Sequence, residues 1–335
     1  MKYTRTTILT AALIALTALP SLAQSTDRDS AIKAFLEGKH LEAVVEMEDL
    51  IKQKQYENDA ELINYLGFAY QNSLDSKRAR KMFEKAVKLS PANSTYRVNL
   101  AYVYLLDRKV NASQKEAEKA LELEPANISA YYVLGRADLW ERKIDGAVAI
   151  ADKMIALGPG FPPGYTLKSE ALIATLGQRL ADGSTIKAEL ELLKESVTVL
   201  ETGLKNGNQP AYKKALEERL ESMRSFHDYY SRERPIPATV PPTPEPGVTP
   251  VRIISKPHAS YSDNARSAGV SGTVRLAVLL GANGQVMHIL KLRGPGYGLD
   301  EQAIRAAMQI TFQPKMKDGV PVSTVVTIEY SFSIY

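Results

Sequence analysis

The sequence predicts a multidomain chain, an all-α superhelix of repeated helix pairs followed by a small α+β domain. Three observations carry that expectation. Pro91, Pro125 and Pro159 recur at intervals of 34 residues, and a fixed period of that length is the mark of stacked helical repeats. Residues 235–250 hold seven of the chain's eighteen prolines, so neither helix nor sheet interior can cross them. Beyond them, Thr273–Leu280 and Gln285–Leu292 alternate apolar and polar residues around Gly281-Ala-Asn-Gly284, the pattern of a β-hairpin.

The first residues are predicted to be a targeting segment, 1–23. Lys2 and Arg5 precede an apolar run from Ile8 to Leu19, and Ser21 and Ala23 supply the small residues of a cleavage site before Gln24. The run is well short of the ~20 residues that span a bilayer, so the mature chain is expected to be exported to the periplasm. The alternative is an uncleaved inner-membrane anchor. Loss of Lys2 and Arg5 takes the formal charge from +4 to +2. No cysteine is present, which excludes disulfides, thiolate metal sites and a cysteine nucleophile.

Residues 24–232 read as the repeat domain. Aligned on the prolines, one copy gives Leu66-Gly67, Tyr70, Ala79, Phe83, Ala86 and Pro91. The next gives Leu100-Ala101, Tyr104, Ala120 and Pro125, and the third Leu134-Gly135, Ala147 and Pro159. Small residues recur where two helices must approach, and a proline closes each copy. This pattern resembles the tetratricopeptide repeat. A looser copy is expected from Asp27 to about Lys54, with Ala43 and Met47 in its second helix. Beyond Pro163 the phase is lost, and three further helical stretches through Tyr230 read as a closing cap. By repeat phase the concave groove is lined by Asn64, Phe68 and Gln71, then Val98, Tyr102 and Leu105, then Tyr132, Arg136 and Leu139. Amides, aromatics and one arginine suit an extended peptide or a partner helix.

Residues 233–250 read as a polyproline-II spacer, rising about 3.1 Å per residue. Residues 251–335 form the last domain. After Pro257, Tyr261, Ala265, Gly269 and Gly272 come the hairpin, the turn Gly294–Gly298, and Leu299, Ala303, Ile304, Ala307 and Met308 at helical spacing. Phe312, Pro314, a Lys317-Asp-Gly319 turn and a long tail ending near Phe332 complete it. This order of β, β, α, β with these residues resembles the C-terminal domain of the TonB family of periplasmic energy transducers. Ser262 stands where the family has a proline. The leader has no histidine between Ile8 and Gln24, whereas the family's membrane helix carries a functional one.

The chemistry expected here is binding. His40, His227, His258 and His288 are the only histidines, none at metal-ligand spacing, and alternation places His288 toward solvent. There is no nucleophile elbow or phosphate loop. No catalytic residue, cofactor or metal is expected. With nine Lys or Arg against five Asp or Glu in 251–335, the charge is too weak to imply nucleic acid. Asn93, Asn111 and Asn127 begin formal glycosylation sequons, and turn formation explains the first and last better.

A three-stranded sheet can capture an extended segment at an edge strand, and Val322–Ile334 is the expected edge. Selectivity is assigned to Thr324, Val326, Ile328 and Tyr330, or to the opposite phase, with Phe312, Pro314 and Phe332 in the core or turns. Resemblance to the TonB family implies that a segment of an outer-membrane receptor pairs with this strand. The expected partners are therefore proteins, including TonB-dependent receptors and inner-membrane transducer components, with membrane contact only through them unless the leader is retained. The predicted function is a periplasmic adaptor supporting TonB-dependent transport. The alternative is an envelope scaffold with no part in energy transduction.

Overall fold

The computed structural model describes residues 26–73, 75–182, 184–185, 188–207, 209–232, 246–267 and 269–334. The targeting segment and most of the proline-rich spacer lie outside the described residues. The chain divides into two compact units, with the division between Leu167 and Lys168.

The first unit is built of antiparallel helix pairs: α1 (Thr26–Leu36) with α2 (His40–Leu50), α3 (Ala60–Asn72) with α4 (Ser76–Leu89), α5 (Ser94–Leu106) with α6 (Val110–Leu123), and α7 (Ile128–Glu141) with α8 (Ile144–Leu157). Helix α9 (Pro162–Ala181) follows. Pro91, Pro125 and Pro159 each fall two residues after the last residue of α4, α6 and α8, where a residue without an N–H cannot continue the helix. These are tetratricopeptide repeats, and α1 and α2 are the looser first copy. The side chains of Asp59, Asp75, Asn93 and Asn127 accept from the amides of Leu62, Arg78, Tyr96 and Ala130 at 2.9–3.1 Å. Each cap satisfies a helix-end donor and contributes about 0.5–2 kcal/mol. Asn93 and Asn127 therefore act as caps, in keeping with the turn reading of their sequons. Gly67 permits a close helix contact, since a Cβ there would stand 2.7 Å from the Phe83 ring.

The second unit begins within α9 and continues through α10 (Leu190–Asn206) and α11 (Pro210–Arg232). It then adds β1 (Val248–Thr249), β2 (Arg252–Ser255), α12 (Asp263–Ser267), β3 (Gly272–Leu280), β4 (Val286–Arg293), α13 (Leu299–Ala307), β5 (Thr311–Gln313), β6 (Lys315–Lys317), β7 (Val320–Val322) and β8 (Thr324–Phe332). The main sheet has the order β4-β3-β8, all antiparallel. Two small sheets, β1-β6-β7 and β2-β5, complete the strands.

Both faces of the main sheet are covered. Val274, Leu276, Val278 and Leu280 pack with Leu299, Ala303, Ala307, Phe312 and Phe332 in the α13 core. On the other face Ala277, Leu279, Leu290 and Leu292 pack with Leu176, Leu193, Leu200, Leu216, Leu220 and Phe226 of α9, α10 and α11. The helices read as a closing cap for the repeats thus form a lid on the sheet. Fully burying one leucine contributes about 1.5–3 kcal/mol, and α10 and α11 find that burial on an apolar sheet face that would otherwise be wet. His288, expected to face solvent, is half-buried on β4 instead. Burial pushes its imidazole pKa below the ordinary value, and attraction from Glu221 of α11 opposes the shift.

Candidate functional site

The candidate site is the outer edge of β8, and its backbone geometry follows from the hairpin. Gly281 N donates to Gln285 O at 2.9 Å, so the odd residues of β3 turn their backbone groups toward β4. Its even residues then face β8, where Leu276 opposes Ile328 and Val278 opposes Val326. Backbone direction alternates along a strand. The even residues of β8 therefore hydrogen-bond to β3, and Val325, Thr327, Glu329 and Ser331 turn N–H and C=O outward. Lys256 Nζ donates to the Glu329 carbonyl at 3.0 Å, which agrees with that direction. It is the one partner found on this edge among the described residues.

The register of β8 with β3 runs over nine consecutive pairs, Gly272↔Phe332 to Leu280↔Thr324, without a shift. The opposite edge differs. In β4 the register shifts twice, leaving Met287 and Leu292 as extra residues. A Cβ on Gly177 of α9 would overlap the Leu292 carbonyl, so this helix lies directly on the second bulge. The turn after β4 is pinned by buried Asp300, which accepts from Lys291 Nζ at 2.9 Å and from Gly296 N at 3.2 Å.

The side chains assigned to the edge sit differently from expectation. Thr324, Ile328 and Tyr330 are buried and Val326 is half-buried, with Val326, Ile328 and Tyr330 facing the α13 core. Thr324 Oγ1 lies 3.2 Å from Tyr229 Oη of α11, and burial pushes the Tyr330 phenol pKa up. In β8 the residues whose backbone pairs with β3 also turn their side chains inward, so none of the four is left exposed. The opposite phase faces outward: Thr327, Glu329 and Ser331 are exposed. Arg275 Nε holds the Glu329 carboxylate at 2.6 Å, and Thr273 Oγ1 lies 3.1 Å from Ser331 Oγ. Phe312 and Phe332 are core residues as expected.

In the repeats, four of the nine assigned groove residues lie in the interior. Asn64 is buried and accepts from Asn99 Nδ2 at 2.9 Å. Phe68 packs against Phe35 and Phe83, and Val98 and Leu105 are buried in the α5–α7 core. Repeat phase fixes which side of a helix a residue occupies, and here the neighbouring first helices close over that side. Gln71, Tyr102, Tyr132, Arg136 and Leu139 are half-buried.

Ser262 caps α12, accepting from Ala265 N at 3.1 Å and donating to the Tyr297 carbonyl. A hydroxyl thus ties the loop where the family has a proline. Among the described residues no three acidic or histidine side chains gather at metal-holding distance, and no helix is long and apolar enough to cross a membrane.

A helical repeat unit and a sheet whose β8 edge pairs with no further strand among the described residues define a protein-binding architecture. Residues 257–334 match the family described as Gram-negative bacterial TonB protein C-terminal, so the last domain is a TonB C-terminal domain. A comparison with curated proteins finds no match. Solved structures similar to the chain include MamA 41-end from Desulfovibrio magneticus RS-1, at 20% identity over 54% of this chain and 98% of that one, TM-score 0.44. Pseudomonas aeruginosa PilF is similar at 17% identity, over 61% and 88%, TM-score 0.45. The Arabidopsis OM64 TPR domain is similar at 22%, over 33% and 93%, TM-score 0.33.

Proposed function

We propose that the protein is a periplasmic adaptor that captures an extended protein segment by strand addition to β8, in support of TonB-dependent transport across the outer membrane. The observation that carries this reading is the nine-residue, bulge-free edge whose odd residues turn their backbone groups away from the sheet. Such an edge binds through main-chain hydrogen bonds, and the alternate side chains of the pair add selectivity. Thr327, Glu329 and Ser331 are the residues that supply both. The resemblance to the TonB family, whose C-terminal domain residues 257–334 match, favours a segment of an outer-membrane receptor as ligand. The repeats recruit a second protein, with Gln71, Tyr102, Tyr132, Arg136 and Leu139 as the contacts.

Thr327→Pro tests this. It deletes an outward N–H, and proline is tolerated on an edge when its missing donor faces solvent. Affinity for receptor segments captured from outer-membrane extracts is expected to fall at least about tenfold, with an unchanged circular dichroism spectrum. Unchanged capture would sink the strand-addition reading.

A further inference from the structure

We propose that Lys256 is an edge guard: its ammonium occupies the backbone acceptor of Glu329 in the free protein, so that an arriving strand must displace it. This deepens the strand-addition reading and rests on it.

Three features set Lys256 apart from an ordinary surface lysine. Its backbone is held, because β2 ends at Ser255 in register with Thr311 of β5, and Pro257 follows, which restricts the preceding residue to extended conformations. Its ammonium makes two contacts at once, 3.0 Å to the Glu329 carbonyl and 5.0 Å to the Tyr330 ring centroid, the second of them a cation–π geometry. Its acceptor is also telling. The Glu329 carboxylate, the obvious ion-pair partner, is held by Arg275 Nε at 2.6 Å, and Lys256 goes to the main chain.

That carbonyl belongs to the outward-facing set, alongside those of Val325, Thr327 and Ser331. A partner strand needs it, and so does a second copy of this chain pairing β8 with β8. Lysines on exposed edges are a recognised device against indiscriminate pairing. Here the device is a specific hydrogen bond near the C-terminal end of β8. It penalises every incoming strand by the same amount, so weak partners, including another copy, are rejected before strong ones.

Self-association of the full chain, followed by sedimentation equilibrium, tests the guard. Lys256→Met keeps the aliphatic stem and removes the donor. It is expected to lower the dimer dissociation constant by about threefold to tenfold relative to wild type. Lys256→Arg, which restores a cationic donor, is expected to behave as wild type. Adding Thr327→Pro to Lys256→Met is expected to abolish the gain. Unchanged association of Lys256→Met overturns the guard, as does a gain that survives Thr327→Pro, because that association would use another surface. Failure here leaves strand addition standing. Strand addition itself fails if Thr327→Pro alone leaves segment capture intact.

Discussion

The two edges of the main sheet, β4 and β8, are solutions to opposite problems. Both border β3, and both are eight or nine residues long. Strand β4 is bulged at Met287 and Leu292, lies against α9 at Gly177 and runs into a turn pinned by Asp300. Strand β8 keeps one register from end to end, and among the described residues its outward backbone finds a partner at Glu329 alone. Bulges and covering helices are what natural sheets use to prevent edge pairing. A sheet that has them on one edge and lacks them on the other meets the requirement of the proposed capture, which extends it on one side only.

The comparison breaks most forcefully if the helical lid is removed from the second face. Phe226 is wholly buried in the cluster that joins α9–α11 to β3 and β4. Phe226→Ala is expected to destabilise the second unit by about 3–5 kcal/mol. Amide exchange should accelerate in β4 as well as in α11. If only α11 loosens, the lid does not support the sheet. A smaller effect is expected of Gly177→Val, which places a branched side chain against the Leu292 carbonyl. Overpacking of this kind costs about 1–3 kcal/mol, and thermal denaturation should show it. Because the contact lies at β4, segment capture at β8 should survive.

The mildest test is pH. Burial favours the neutral form of His288 in the folded protein, so the unfolded chain binds the proton more tightly. The stability this group contributes is complete above its ordinary pKa of about 6.5 and declines as pH falls below it. The melting temperature should therefore drop between pH 7.5 and 5.5, by less in His288→Gln than in wild type. His40, also lowered by burial, supplies a background common to both. Equal drops would contradict the placement of His288 beneath α11.

Much of this organisation was legible in the residues. The 34-residue period locates the helix pairs because each copy repeats the same packing problem. The glycine-flanked hairpin locates β3 and β4 to within a residue at each end. Alternation also identifies the even positions of β3 as a core face. The lid was missed, although its signal is present: Ala277 and Leu279 fill the gaps between Leu276, Val278 and Leu280, making the nearly unbroken apolar run of a strand buried on both faces. Which phase of β8 turns its backbone outward is set by the Gly281–Gln285 bond, and β4, α13, β5, β6 and β7 lie between the two in sequence. The groove residues Asn64, Phe68, Val98 and Leu105 were misplaced for a similar reason. Periodicity assigns a helix face, and only the packing of the next helix decides whether that face is wet. The short strands β1, β2, β5, β6 and β7 are too brief to carry a period at all.

Amide hydrogen exchange along β8, resolved residue by residue by NMR, tests the central claim most directly. Val326, Ile328 and Tyr330 should be protected through their bonds to β3, while Thr327, Glu329 and Ser331 exchange rapidly in the free protein and become protected when a captured segment is added. Protection of both sets in the free protein, or none gained by the odd set on capture, would contradict an open edge at β8.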